Sequence, residues 1–286
     1  MKEDKRNELN LFAAQLRLES ILSMASCGSG HVGGVLSAAE LVAVLYGDQA
    51  RYRPAEPDWD GRDRIVLSKG HCGPILYAAL ALEGFFPKEL LSTLNKPGST
   101  LPSHCDRLKT PGVDMTTGSL GQGISMALGL ALGAKMRGKD FTTYLILGDG
   151  ECDEGQVWEM ALFAAQQKLD HLIAFVDLNR QQLDGYTDEI LALGDLRRKF
   201  EDFGWHAVEV DGHDVSAIHD AIEDAKSRAG VPSMIVLDTV KGKGWSVTEG
   251  RTGIHHIPIT PEQAAAAKKE LGAQISALQA KLQEVC

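Results

Sequence analysis

Cysteine is scarce and out of register for pairing: Cys27, Cys72, Cys105, Cys152 and Cys286 are odd in number and form no CxxC motif. A disulfide framework or a zinc site therefore has no support. Cys152 reads as a small filler in a tight turn. No uninterrupted apolar stretch reaches the roughly 20 residues a spanning helix requires. The start, Met1 to Arg6, lacks the apolar core of a signal peptide, so a cytoplasmic location is expected. Positive charge is also in deficit. At a net charge of −10 the chain offers no general attraction to nucleic acid or anionic membranes, and any phosphate site must be local. Internal repeats, low-complexity tracts and linkers are absent as well. What remains is an ordinary globular composition, 44% hydrophobic and 24% charged. It is read as a single domain over residues 1–286, closed by a C-terminal helix.

Apolar spacing predicts helices over Glu3 to Cys27, Ser37 to Tyr46, Gly73 to Leu82, Leu193 to Phe203 and Val215 to Arg228. A small-residue helix is expected after Gly121, where Gly129 and Ala131 would permit close packing. Short apolar runs predict strands at Arg64 to Leu67, Phe141 to Leu147, His171 to Leu178, His206 to Val210 and Ser233 to Asp238. Alternation of the two patterns implies an α/β fold, a doubly wound parallel sheet with helices on both faces. Two long stretches, Lys96 to Ser119 and Thr239 to Ile259, carry no periodicity and read as functional loops. Thr260-Pro261-Glu262-Gln263 has a capping-box pattern. It opens a last helix whose stripe Leu271, Ile275, Leu278, Leu282 is expected to pack on this chain or a partner, a free coiled coil being the lesser alternative.

Chemistry concentrates at Gly148-Asp149-Gly150, with Asn179 thirty residues after Asp149 and Glu154-Gly155 between them. Both Asp149 and Asn179 leave the carboxyl ends of predicted parallel strands, the edge where open α/β sheets bind ligands. One carboxylate, one amide oxygen and a nearby backbone carbonyl leave a Mg²⁺ ion room for diphosphate oxygens. The glycines let backbone approach the phosphates, and a helix beginning near Asp153 offers free N–H groups. The plainer alternative, Asp149 as a helix cap alone, leaves the asparagine spacing unexplained.

The run GDGECDEG, with asparagine beyond it, resembles the thiamine diphosphate motif. SGHVGG at Ser29 to Gly34, LSKGH at Leu67 to His71, KTPGVDMTTGSLGQG at Lys109 to Gly123 and KGKGW at Lys241 to Trp245 narrow the resemblance to the transketolase family. It runs along nearly the whole chain, with the motifs in the family's order. The resemblance implies thiamine diphosphate with Mg²⁺ (Ca²⁺ or Mn²⁺ substituting) and transfer of a two-carbon ketol unit from a ketose phosphate to an aldose. It further implies Asp149, Asn179 and the Gln181 carbonyl as metal ligands, and Gly150 N–H as a phosphate contact. Lys69, His71, Lys241 and His255 would line the phosphate end, and Gly118, Ser119 and Leu120 would abut the cofactor rings. Glu154 corresponds to an acid that reaches across a subunit interface, and in its own helix it also complements the dipole. His31, His104 and His255 match substrate-facing histidines, suited to proton transfer near neutrality. His256, beside His255, is the alternative, and the fourteen residues from Lys241 favour His255. His206, His213 and His219 receive no role.

Only the diphosphate-binding portion of a full transketolase is represented. A partner subunit carrying the pyrimidine-binding domain and its glutamate is implied, in an α2β2 heterotetramer. Sugar phosphates are the expected substrates. His31-Val32 and Ser103-His104-Cys105 depart from the family's His-Pro and Gly-His-Pro, which keeps branched or sulfonated ketoses open beside pentose phosphates. Against a 2-oxo acid dehydrogenase alpha chain or a deoxyxylulose phosphate synthase stand the SGHVGG, LSKGH and TGSLGQG motifs. Against a noncatalytic cofactor-binding scaffold stand the three histidines.

Overall fold

The computed structural model describes residues 1–183 and 185–285. Cys286 lies outside them. In chain order the elements are α1 (Glu3–Ser26), β1 (Ser29–Gly30), α2 (Val32–Ser37), α3 (Ala39–Val44), β2 (Arg64–Leu67), α4 (Gly73–Leu82) and α5 (Gln122–Met136). There follow β3 (Thr143–Gly148), α6 (Gly155–Gln166), β4 (Leu172–Leu178), α7 (Thr187–Ile190), α8 (Leu196–Asp202) and β5 (His206–Asp211). The chain closes with α9 (Val215–Lys226), β6 (Ser233–Asp238), β7 (Ile257–Pro258) and α10 (Pro261–Val285).

Five strands form one parallel sheet in the order β2-β3-β4-β6-β5. Pleating sends alternate residues to opposite faces. Tyr144, Ile146, Ile173, Phe175, Ile235 and Leu237 therefore join a core with α1, α3, α4 and α9, whereas Leu145, Leu147, Ala174, Val176 and Val236 join a second core under α5, α6 and α8. Burial on both faces explains why β3, β4 and β6 read as unbroken apolar runs. Edge strand β5 alternates instead.

Helix α9 shows the local rule. Val215, Ile218, Ala221, Ile222 and Ala225 recur along one buried face, and the Asp214 carboxylate caps the helix by accepting from Ser216 N at 2.8 Å. At α10 the capping box closes reciprocally: Thr260 N donates to Gln263 Oε1 at 2.9 Å and Gln263 N to Thr260 Oγ1 at 3.2 Å. Leu271 and Ala267 are buried, and α10 packs along α1 of this same chain.

Three expectations change. The helix expected over Ser37 to Tyr46 starts earlier, at Val32, and breaks at Ala38 before α3 and a π turn over Leu45–Gln49. Glycines 33 and 34 hid its first turn, since they weaken the apolar pattern. Near Asp153 a 3-10 turn, Gly150–Asp153, precedes α6, which begins at Gly155. Ala131 packs as expected, but a side chain at Gly129 would meet only open space within this chain. Among the described residues no helix is long and apolar enough to cross a membrane.

Candidate active site

Because β2, β3, β4 and β6 are parallel, their carboxyl ends deliver Lys69, Asp149, Asn179 and Lys241 to one edge of the sheet, where they line a cleft of about 280 Å³. Asp149 is 2% exposed. Its Oδ1 accepts from Gly150 N at 2.8 Å and its Oδ2 from Arg180 N at 2.5 Å. Burial, reinforced by the nearby Asp177 carboxylate, pushes the Asp149 carboxyl up to about 7, even against these two bonds. Among the described residues no cation forms an ion pair with it, and Lys241 offsets its burial only in part. Asn179 Oδ1 accepts from Gln181 N at 3.1 Å, while the Gln181 carbonyl accepts from Lys241 Nζ at 2.8 Å. An ammonium thus already sits on the carbonyl expected to bind metal. Oxygen lone pairs remain on all three groups, and hard oxygen donors around an undercompensated carboxylate fit Mg²⁺. Among the described residues no group of three or more His, Cys, Asp or Glu side chains is placed to hold a metal, so diphosphate oxygens would have to complete the shell.

Beneath lies an ion pair that the sequence reading missed. Lys69, 2% exposed, donates from Nζ to Asp177 Oδ2 at 2.5 Å and to Gly34 O at 2.9 Å. Asp177 also accepts from Ser37 Oγ at 2.6 Å, from Thr239 Oγ1 and from Asn179 Nδ2 at 3.2 Å. Burial would raise this carboxyl, but Lys69 and the hydroxyls outweigh it and hold it below its ordinary value. Lys69 is therefore in the cleft as expected, with its charge directed first at Asp177. A carboxylate ending an apolar buried strand was the available signal. Glu151 was missed as well: buried, it accepts from Ser68 Oγ, Gly121 N and Gly148 N and so ties β2, α5 and β3 together. Four acids, Asp149, Glu151, Asp153 and Glu154, crowd that motif, and nothing in their order marks which are inside. Cys152 is fully buried, with burial raising its thiol well above the ordinary value.

The histidines meet at the mouth. β1 and β7 pair antiparallel, Ser29 with Pro258 and Gly30 with Ile257, which sets His31 opposite His256. Ring centroids lie 4.6 Å apart for His31–His256, 5.3 Å for His31–His255, 5.9 Å for His31–His104 and 5.0 Å for His71–His255. Burial, with the neighbouring imidazoles His256, His255 and His104, lowers His31 to about 4. Burial and Lys241 bring His255 to about 4, and burial and Lys69 bring His71 to about 2. These three rings are neutral near pH 7.

Gly118 and Leu120 line the cleft. Gly118 has φ +148°, and a Cβ there would come within 2.8 Å of His104 Cδ2, so backbone forms the wall where a flat ring could lie. Ser119 and Glu154 are exposed and lie outside the cleft lining. Glu154 caps α6 in position only, without a side-chain capping bond.

Residues 9–284 match the family described as transketolase, thiamine diphosphate binding domain. The chain is 53% identical over 268 residues to the 6-deoxy-6-sulfo-D-fructose transketolase subunit SqwG of Clostridium sp. strain MSTE9, covering 94% of this chain and 96% of that one. It is 38% identical over 274 residues to Homo sapiens transketolase, covering 96% of this chain but 43% of the human one. A crystal structure of Pichia stipitis transketolase in complex with sedoheptulose 7-phosphate superposes with a TM-score of 0.88 at 31% identity, over 98% of this chain and 45% of that one. The chain belongs to the transketolase family, of which it carries the thiamine diphosphate-binding domain.

Proposed function

We propose that this chain is the diphosphate-binding subunit of a two-chain transketolase. It would move a two-carbon ketol unit from a ketose to an aldose with thiamine diphosphate and Mg²⁺, as a single domain working in the cytoplasm. The observation that carries the metal is the buried, cation-poor Asp149 beside Asn179 and the Gln181 carbonyl. Bound thiamine diphosphate supplies the electron sink for breaking and making the bond beside the ketose carbonyl. Asp149, Asn179 and Gln181 would hold the cation, Lys241 and His71 the phosphate end, joined by the Gly150 N–H once it leaves Asp149 Oδ1, and Gly118 to Leu120 the ring side. His31, His104 and His255 would take and return hydroxyl protons. Glu154, exposed and without a capping bond, is available to a partner subunit.

Two chains are supported by length: this chain spans nearly all of a relative named as a subunit, but under half of the human enzyme. A C-terminal subunit with the pyrimidine-binding domain would complete an α2β2 assembly. For the donor we propose a sulfonated ketose, since identity is 53% to the sulfofructose relative against 38% to human transketolase. The test is a donor panel on the reconstituted pair. Preference for 6-deoxy-6-sulfofructose over xylulose 5-phosphate by about tenfold in kcat/KM, about 1.4 kcal/mol of transition-state binding, is expected. The reverse preference would overturn the donor assignment. Ketol transfer by the purified single chain would overturn the two-chain reading.

A further inference from the structure

His213 had no role in the sequence pattern, yet it joins four elements. It follows β5, with its own N–H held by Asp211 Oδ1 at 2.8 Å. Its ring Nε2 lies 2.8 Å from Val240 N, a group that can only donate. Nε2 is therefore the unprotonated nitrogen, and Nδ1 carries the hydrogen directed at Glu40 Oε2, 3.0 Å away. The same Glu40 oxygen accepts from Arg17 Nη2 at 2.6 Å, and Arg17 also reaches Leu36 O at 3.3 Å. Arg17, on α1, and Glu40, on α3, are both buried, so the ring is oriented from fixed ground.

Val240 is the residue between two anchored neighbours. Thr239 bonds to Asp177 and Leu178, and Lys241 donates to the Gln181 carbonyl. The stem of Lys241 lies against Gly33, where a Cβ would come within 2.9 Å of its Cε and Cγ, and Gly242 N donates to Gly33 O at 3.0 Å. Lys241 is thus confined on one side by α2 and its chain fixed on the other at Val240.

We propose that His213 is a positioning residue which, held by Glu40 and Arg17, fixes the Val240 backbone and so sets the Lys241 ammonium at the diphosphate end of the cleft. The inference rests on the cofactor site proposed above. Two near-isosteric variants separate the ring's contacts. In His213→Asn the amide can still reach Glu40 but falls short of Val240; in His213→Gln the amide oxygen reaches the Nε2 position. In the assembled enzyme, titration calorimetry with thiamine diphosphate and Mg²⁺ should show about tenfold weaker binding for His213→Asn, with kcat at saturating cofactor within about twofold. His213→Gln should stay within about threefold of the parent in affinity. Exchange of the Val240 amide should accelerate in the Asn variant and not in the Gln variant. Equal cofactor affinity in parent and His213→Asn would overturn the proposal, as would equal loss in both variants. Failure of the parent itself to bind cofactor would refute the site and not the network, because Val240 exchange reads the network directly.

Discussion

Two regions of one cleft handle charge in opposite ways. At its floor, Asp149, Asp177, Lys69 and Lys241 are buried and bonded to one another or to backbone, with Asp177 and Lys69 held as an ion pair. At the mouth, five imidazoles crowd within 4.6 to 5.9 Å of a neighbour, and three of them are driven neutral by burial, with Lys241, Lys69 and the neighbouring imidazoles adding to it. A fixed anion needs fixed charge, whereas proton transfer needs groups without charge to begin with. The floor is built from the ends of β2, β3, β4 and β6, and the mouth from loops joined by the two-residue ribbon of β1 and β7.

The largest effect on cofactor binding should come from removing the metal ligand. Asp149→Ala should weaken cofactor binding by about a hundredfold, about 2.7 kcal/mol, in calorimetry with Mg²⁺. Unchanged affinity would mean the floor does not bind the diphosphate. Next is the ion pair. Asp177→Asn leaves Lys69 buried without its counter-charge and should lower unfolding free energy by about 3 to 5 kcal/mol in urea. Replacing both, Lys69→Met with Asp177→Leu, should recover part of that loss. A mild cost for the single variant would show the pair to be dispensable to the floor.

Acid should distinguish the regions by sign. His31, His71 and His255 titrate lower in the folded chain than the ordinary 6.5. Below pH 6.5 the unfolded chain binds protons that the folded one refuses, so these rings make stability fall as pH drops toward 4. Asp149, raised to about 7, acts in the opposite sense: the folded chain gains that proton first, and stability from this group is lost as pH rises from 3.8 through 7. The urea midpoint of the chain without cofactor should therefore drop between pH 6.5 and 5 more steeply in Asp149→Asn than in the parent. A shallower slope in that variant would reverse the assignment of signs. The smallest stability effect belongs to Glu154→Gln, an exposed residue outside both regions: within about 0.5 kcal/mol for the isolated chain. Loss of ketol transfer in the reconstituted pair would then mark it as facing the partner, and full activity would not.

The floor was largely legible in the sequence and the mouth only in part. Asp149 and Asn179 declare themselves because a parallel sheet converts a fixed spacing along the chain into adjacency at one edge. The alternating elements were equally plain, since burial on both faces leaves unbroken apolar strands. Asp177 was not, because a single carboxylate at a strand end carries no mark of its buried lysine. Nor was the ribbon of β1 and β7, two residues on each side with no periodicity to find, although it is what brings His31 against His256. The Lys69 position was expected, but its bond to Asp177 is a long-range contact that spacing cannot encode.

One measurement bears most directly on the floor: a crystal structure of the assembled enzyme with thiamine diphosphate and Mn²⁺ replacing Mg²⁺, with anomalous scattering recorded at the manganese edge. A single strong peak in contact with Asp149, Asn179 and the Gln181 carbonyl, beside diphosphate density, is the predicted result. Bound cofactor with its metal elsewhere, or saturating cofactor with no density at that edge of the sheet, would contradict it.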